Sequence, residues 1–199
     1  MEYKFKTKPF AHQKKALEDS WDKEFYALFM EMGTGKSKVA VDTLALLYQK
    51  KNITAALVIA PKGVYDNWVQ GEIPKHLPDS IQKQIVKWMP NNSQKYQKEL
   101  SDFVLEKNDD LKIFVMNVEA LSTHRGEHVA KVFLDKNPEN IVIVDESTTI
   151  KNRKAARTKT IMKLADRSRY RRILTGSPVT KSPMDLFSQC AFLSFRVLQ

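Results

Sequence analysis

The sequence predicts an α/β fold, a mainly parallel sheet with helices on both faces. Three observations carry that prediction. Apolar runs such as Ile53–Ala60 and Ile141–Val144 alternate with longer stretches of helical periodicity. The runs are apolar throughout, as strands covered on both faces must be. No Pro/Gly-rich linker, internal repeat, heptad or low-complexity stretch divides the 199 residues, a length that suits one domain with a sizeable core.

Taken in order, residues 1–9 read as a polar lead-in. A helix follows from Phe10, with Phe10, Leu17 and Trp21 on one face and Pro9 near its first turn, where a missing N–H is harmless. Phe25 to Phe29 reads as a buried strand. The next helix carries Val41, Leu44, Ala45 and Tyr48 at i, i+3, i+4, i+7, and Val39, Ala40, Leu46 and Leu47 make it apolar almost all round. Such a helix packs on a sheet. Ile53 to Ala60 is a strand stopped by Pro61, and Val64, Trp68 and Val69 begin a helix running to His76. Ser80 to Met89 alternates loosely as a strand, and Ser93 opens a polar helix reaching Lys107. Leu111 to Asn117 is a strand, and Val118 to Asp135 is helical with a break near Gly126. Ile141 to Val144 is a short strand delivering Asp145 and Glu146. A basic helix with Ile161, Leu164 and Ala165 as its apolar stripe leads to a strand at Arg172–Leu174. Pro183 to Phe195 is the last helix.

Composition narrows the function classes. No apolar run approaches the roughly 18–20 residues that span a bilayer, and Met1–Lys6 is too polar for a signal peptide. A single cysteine, Cys190, leaves no internal disulfide, and the four histidines have no cysteine clusters beside them, which argues against structural zinc. The expected compartment is the cell interior, or a host cell if the protein is viral. Charge says more. Lys and Arg number 33 against 23 Asp and Glu, a formal net of +10. Residues 151–172 hold ten basic side chains and one acid, a net of +9. Such a block reads either as a polyanion-facing surface or as a solvated helix face.

The chemistry gathers at three places. After the strand at Phe25–Phe29 come Met30-Glu31-Met32-Gly33-Thr34-Gly35-Lys36-Ser37 and then a helix. Glycines let backbone N–H groups close around an anion, the helix N-terminus adds its dipole, and Lys36 can reach outer phosphates. The strict P-loop pattern has Gly where this chain has Met30, so a glycine-rich turn with a surface lysine is the other reading. The second place is Asp145-Glu146 at a strand end. Asp145 can hold Mg²⁺ with the Ser37 hydroxyl, and Glu146 can orient or deprotonate an attacking water. A turn or helix cap is the plain alternative. The third is Thr175-Gly176-Ser177-Pro178. All three are expected at the carboxyl ends of strands, where such sheets collect ligands.

These segments, in this order, resemble the first RecA-like lobe of a superfamily 2 helicase or translocase of the Swi/Snf type, in phage or bacterial style. The likeness runs from Phe10 to Leu193. Phe29–Ser37 resembles motif I, where relatives often lack glycine at the position of Met30. Val142–Ser147 resembles motif II, followed by Ile150-Lys151-Asn152, and Leu174–Pro178 resembles motif III. His12-Gln13 resembles the glutamine motif, Ala60-Pro61-Lys62 with Asn67-Trp68 resembles motif Ia, and Asn117–Leu121 resembles motif Ib. One departure is Ser147-Thr148, where many relatives carry Ala-His.

The resemblance implies an ATP-binding P-loop NTPase lobe over residues 10–199, with ATP and Mg²⁺ as ligands. Gln13 and Met32, Gly33, Thr34, Gly35, Lys36, Ser37 and Lys38 would bind the nucleotide. Ser37 and Asp145 would hold the metal, with Lys36, Asp145 and Glu146 catalytic. Thr175 and Ser177 would couple the γ-phosphate to motion through their hydroxyls. Lys62, Asn117, Lys151 and Arg153 would contact nucleic acid, double-stranded DNA by the resemblance. Trp68 reads as a core aromatic. The family's arginine finger, worth about 10³–10⁵ in rate, lies on a second RecA-like lobe; His124-Arg125-Gly126 mimics that motif but precedes motif II. The expectation is therefore a piece of a longer motor that moves on duplex DNA. A standalone module binding nucleotide and nucleic acid with negligible turnover, an RNA-directed helicase lobe, and a small-molecule P-loop kinase are the alternatives.

Overall fold

In a computed structural model of the chain, residues 3–90, 93–179 and 182–194 are described. Six strands form one sheet in the order β1-β6-β5-β2-β4-β3, every neighbouring pair parallel. The strands are β1 (Phe25–Phe29), β2 (Ala55–Ala60), β3 (Lys83–Lys87), β4 (Leu111–Asn117), β5 (Asn140–Asp145) and β6 (Tyr170–Thr175). The period of two sorts their side chains. In β2, Ala55, Leu57 and Ile59 join one core while Ala56, Val58 and Ala60 join the other. A strand apolar on both sides needs cover on both faces.

One face is covered by α1 (Ala11–Ser20), α2 (Lys36–Gln49) and the helical stretch from Tyr65 to His76. That stretch comprises α3 (Tyr65–Asn67), a π-turn (Trp68–Glu72) and α4 (Ile73–His76). The other face takes α5 (Gln94–Leu105), α6 (His124–Lys136), α7 (Ala156–Ala165) and α8 (Asp185–Leu193). Phe103, Phe114 and Phe133 anchor it, with ring centroids 5.4–6.0 Å apart. The doubly covered parallel sheet is therefore as the apolar strands predict.

Several boundaries differ for local reasons. The stretch after β4 is a 3₁₀ turn (Val118–Ser122), and α6 starts at His124. The break falls at Thr123, whose Oγ1 caps the new helix by accepting from Gly126 N at 3.1 Å. Gly126 is needed there because a Cβ would stand 2.1 Å from the Ala120 carbonyl oxygen. Phe10, expected on the buried face of α1, is instead 70% exposed. The predicted last helix ends at Leu193, and Phe195 lies outside the described residues.

The lead-in is polar but docked. Tyr3 Oη donates to Asp42 Oδ1 at 2.7 Å, and Thr7 Oγ1 lies 2.6 Å from His76 Nδ1. Burial and the charges of Lys38 and Lys75 push the His76 pKa down to about 4.

The basic block is corrected most. It does not make one helical face. Arg172, in β6, is fully buried. Its Nη2 donates to the carbonyls of Ser20 (2.9 Å), Trp21 (3.3 Å) and Lys23 (2.6 Å), and its Nη1 to those of Glu24 and Arg171. Burial lowers its pKa to about 10. Arg171 donates to the carbonyls of Phe192 and Leu193 and stacks on Phe25. Lys163 pairs with Glu127 at 2.8 Å and Arg167 with Asp135 at 3.0 Å. These four of the ten charges are thus engaged by other parts of the chain, the two arginines of β6 by backbone carbonyls.

Candidate nucleotide site and polynucleotide edge

Because all strands run the same way, their carboxyl ends share one edge. In spatial order they deliver the Met30–Gly35 loop from β1, Thr175 from β6, Asp145 from β5, Lys62 past β2 and Asn117 from β4. The three nucleotide segments therefore come from three adjacent strands.

The loop after β1 is shaped by glycines at positive φ, Gly33 at +75° and Gly35 at +84°, where a side chain would be strained. Gly35 is also the N-cap of α2, so the loop delivers backbone N–H groups and the positive end of the helix dipole to one point. Thr34 Oγ1 closes the turn on the Glu31 carbonyl at 2.6 Å. Lys36 Nζ lies along the loop, donating to the carbonyls of Met30 (2.9 Å) and Glu31 (3.0 Å). Ser37 follows it in the first turn of α2, half-buried. Met32 is 83% exposed beside this loop.

Gln13 lies beneath the loop rather than on the surface. It is buried, its Oε1 accepts from Phe10 N (3.0 Å), and its Nε2 donates to the Thr34 carbonyl (3.0 Å). A Cβ on Gly35 would fall 2.3 Å from that Nε2. His12 Nε2 reaches the same carbonyl at 2.9 Å, so that nitrogen carries the proton, since a carbonyl only accepts. The amide expected to grip a base is here seen setting the loop.

Lys38 requires a correction as a nucleotide-binding side chain. Its ammonium forms a buried pair with Asp42 Oδ2 at 2.7 Å and lies 5.2 Å from the Phe5 ring centre. Helical periodicity turns it away from the loop and under the lead-in, so only its backbone remains for phosphate.

Asp145 ends β5 at 8% exposure. Its Oδ1 accepts from Glu146 N at 2.9 Å and its Oδ2 from Trp68 Nε1 at 2.8 Å. Burial raises its pKa. The two N–H groups and the charge of Lys36 oppose that rise, while the Glu146 carboxylate adds to it. The loop after β1 and the acid at the end of β5 share one sheet edge, with β6 between them. Glu146 has left-handed backbone, φ +48° and ψ +60°, a conformation costing a non-glycine residue roughly 1–2 kcal/mol. It turns the acid out of the strand, and Glu146 Oε1 accepts from Thr175 Oγ1 at 3.4 Å.

Thr175 is fully buried between the other two strands. Its carbonyl accepts from Met30 N (3.3 Å), and its Oγ1 accepts from Ser177 N (3.2 Å). Ser177, exposed, thus joins this network through its backbone. A Cβ on Gly176 would stand 3.1 Å from Met32 N, so glycine lets the two loops approach.

Trp68 is the residue that sequence reasoning undervalued. It is a core aromatic, as expected, but its indole N–H orients the Asp145 carboxylate. The Asn67-Trp68 pair was the available signal; nothing in its spacing points to a carboxylate far away in the chain.

The candidate polynucleotide residues do not form one cluster. Lys62 is exposed on the loop past β2, and Asn117 lies next to it in register, Ala60 opposite Asn117. Asn117 Nδ2 donates to Glu119 Oε2 at 3.1 Å. Arg153 instead rests its guanidinium 3.9 Å from the centre of the Phe187 ring on α8, on the opposite sheet face from Trp68. Lys151 also lies beside α8, its carbonyl accepting from Ser188 Oγ at 3.4 Å.

Residues 12–199 match the family described as SNF2-related domain. The chain belongs to that family. It is 29% identical over 162 residues to the DNA annealing helicase and endonuclease ZRANB3 of Mus musculus, covering 80% of this chain and 13% of that protein. It is 29% identical over 167 residues to the chromatin-remodeling ATPase INO80 of Saccharomyces cerevisiae, covering 82% of this chain and 10% of INO80. The chain thus spans about a tenth of the length of these relatives. Its fold matches the Sulfolobus solfataricus SWI2/SNF2 ATPase core in complex with dsDNA, with a TM-score of 0.72 at 23% identity over 98% of this chain and 37% of that one. The expected RecA-like fold and Swi/Snf kinship agree with these findings. Among the described residues no helix is long and apolar enough to cross a membrane.

Proposed function

We propose that this SNF2-related chain is the ATP-binding lobe of a DNA-dependent ATPase that couples hydrolysis to movement on duplex DNA. The observation that carries the reading is the convergence of the glycine loop after β1, with Lys36, and of Asp145 at the end of β5 on one sheet edge, on either side of β6. In this reading the N–H groups of residues 33–37 cradle the phosphates of ATP, and Lys36 exchanges its loop carbonyls for phosphate oxygens. A hydroxyl on Ser37 and a carboxylate on Asp145 are the hard oxygen donors that suit Mg²⁺. Each Asp145 oxygen accepts one N–H, which fixes the carboxylate plane and leaves a lone pair on each for the ion. Bound there, Mg²⁺ would offset charge on the β- and γ-phosphates. Glu146, turned out by its left-handed backbone, orients the attacking water, with Thr175 steadying the carboxylate.

Two features support the duplex DNA part. The relatives' names include DNA helicases and a chromatin-remodeling ATPase, and the matched ATPase core is bound to dsDNA. Lys62 and Asn117 stand at the same sheet edge as the nucleotide loops. An arginine from a second RecA-like lobe in a longer chain would complete the transition-state charge.

Lys36→Ala tests the core of this proposal. Binding of a fluorescent ATP analogue with Mg²⁺, followed by anisotropy, is expected to weaken at least about tenfold, the cost of one charge-assisted contact. An unchanged Kd in a folded variant overturns the nucleotide reading. Hydrolysis by a chain extended to include a second lobe, measured with and without duplex DNA, tests the motor reading; robust DNA-independent turnover would count against it.

A further inference from the structure

Two loops of the site are joined by a side chain that no motif includes. Ser147, the first residue past Glu146, is fully buried, and its Oγ donates to Gln189 Oε1 at 2.6 Å. Gln189, on α8, is also fully buried. Its Nε2 donates to the Pro178 carbonyl at 2.8 Å and to the Asp185 carbonyl at 2.9 Å. Both amide protons are therefore used, and the oxygen accepts a short hydroxyl bond. A half-satisfied amide would be costly in this position; this one is placed with no slack.

We propose that Gln189 is a positioning residue that couples the Asp145–Ser147 turn to the Thr175–Pro178 loop and α8, so that the presence of a γ-phosphate at Glu146 is transmitted to α8. The inference rests on the nucleotide reading above. Among the described residues two side-chain connections join these loops, and their lengths decide between them. Thr175 Oγ1 to Glu146 Oε1 is 3.4 Å, at the limit of a hydrogen bond, whereas the bonds through Gln189 are 2.6–2.9 Å. The turn itself is a strained hinge. Glu146 is left-handed, and Ser147 opens the 3₁₀ turn Ser147–Ile150 directly after it. A small change in the Glu146 backbone therefore moves Ser147 Oγ, and through Gln189 it pulls on the Pro178 carbonyl and the first turn of α8. Beyond that turn, Arg153 stacks on Phe187, and Arg171 holds the Phe192 and Leu193 carbonyls, so α8 is gripped at both ends.

The test compares how tightly the 199-residue chain binds a non-hydrolysable ATP analogue and ADP, each with Mg²⁺, by isothermal titration. The ratio of the two affinities is the readout, because a loss of global stability alone moves both equally in folded protein. The wild type is expected to favour the triphosphate. Ser147→Ala and Gln189→Leu should each reduce the ratio about fivefold, the value of one net hydrogen bond, and the double variant should reduce it no further. Gln189→Glu keeps an acceptor for Ser147 but loses both donors, and should behave like Gln189→Leu. Ser147→Ala removes only one oxygen and keeps the test valid if the Gln189 variants do not fold. A wild-type ratio retained in folded Ser147→Ala, or additive effects in the double variant, overturns the coupling while leaving nucleotide binding standing. Equal wild-type affinities for the two nucleotides also overturn it. No binding of either nucleotide by the wild type sinks the nucleotide reading and this inference together.

Discussion

The two ends of β6 use polar side chains for opposite purposes. At its amino end Arg171 and Arg172 spend their guanidinium groups on backbone carbonyls of the Ser20–Glu24 loop and the end of α8. At its carboxyl end Thr175 joins the loop after β1 to Glu146. One end closes the fold; the other aims groups at a ligand edge. Charge counted along the sequence cannot tell them apart, because it registers the guanidinium and not what surrounds it. Buried cations paired to carbonyls are structural, whereas the site's cation, Lys36, sits half-buried on a loop whose carbonyls it can leave.

The contrast breaks most sharply at Arg172. Arg172→Met keeps the aliphatic volume and leaves five carbonyl contacts without their donor. Removing the buried charge recovers some desolvation energy. The lost contacts outweigh it, because the Ser20 and Glu24 carbonyls keep one backbone donor each, Lys23 N at 3.2 Å and Arg171 N at 2.7 Å, while those of Trp21 and Lys23 keep none among the described residues. A loss of about 3–5 kcal/mol is expected, or roughly 10 °C in Tm for a domain of this size. Thermal melting by circular dichroism measures it. Nucleotide affinity of the folded fraction should stay at the wild-type value. A stable variant with impaired nucleotide binding would reverse the roles assigned to the two ends.

A smaller effect is expected at Trp68, where structure and site meet. Trp68→Phe preserves most of the apolar burial and deletes the N–H that holds Asp145 Oδ2. An acceptor left without its donor costs about 1–3 kcal/mol, so Tm should fall by roughly 3–10 °C. Unlike Arg172→Met, this change should also raise the Mg²⁺ concentration needed for tight nucleotide binding, since the carboxylate loses its fixed plane. A drop in Tm with an unaltered Mg²⁺ titration would make Trp68 purely a core residue.

What was legible in the sequence follows the range of each interaction. The strands, the glycine-rich loop and the acids after β5 are written in contiguous residues: an apolar run, a turn that needs positive φ, a charge at a strand end. The parallel sheet then brings these segments to one edge without further information. The side chains that orient them depend on distant parts of the chain. Trp68 meets Asp145 across 77 residues, Ser147 meets Gln189 across 42, and Arg172 meets the Ser20 carbonyl across 152. A tryptophan in an apolar helix and a glutamine in a short one look ordinary until the fold shows what they touch. The same holds for Lys38, which one-dimensional reading groups with the loop and the helix turns toward Asp42.

The smallest expected effect concerns what remains of the basic block at the surface. Arg153 is exposed and held in place by Phe187, which reduces the entropy lost when it meets a phosphate. If it makes one backbone contact with duplex DNA, Arg153→Ala should lower the slope of log Kd against log salt by about 0.9. Fluorescence anisotropy of a labelled duplex across a salt series measures that slope. Arg172→Met, with its guanidinium already sealed inside, should leave the slope alone. An equal change in both variants would mean that DNA reads the chain's overall charge, and the division between the two ends of β6 would have no bearing on polynucleotide binding. A change confined to Arg153 would instead extend the ligand edge from the Lys62 loop across the sheet to α8, the helix that Gln189 connects to the nucleotide loops.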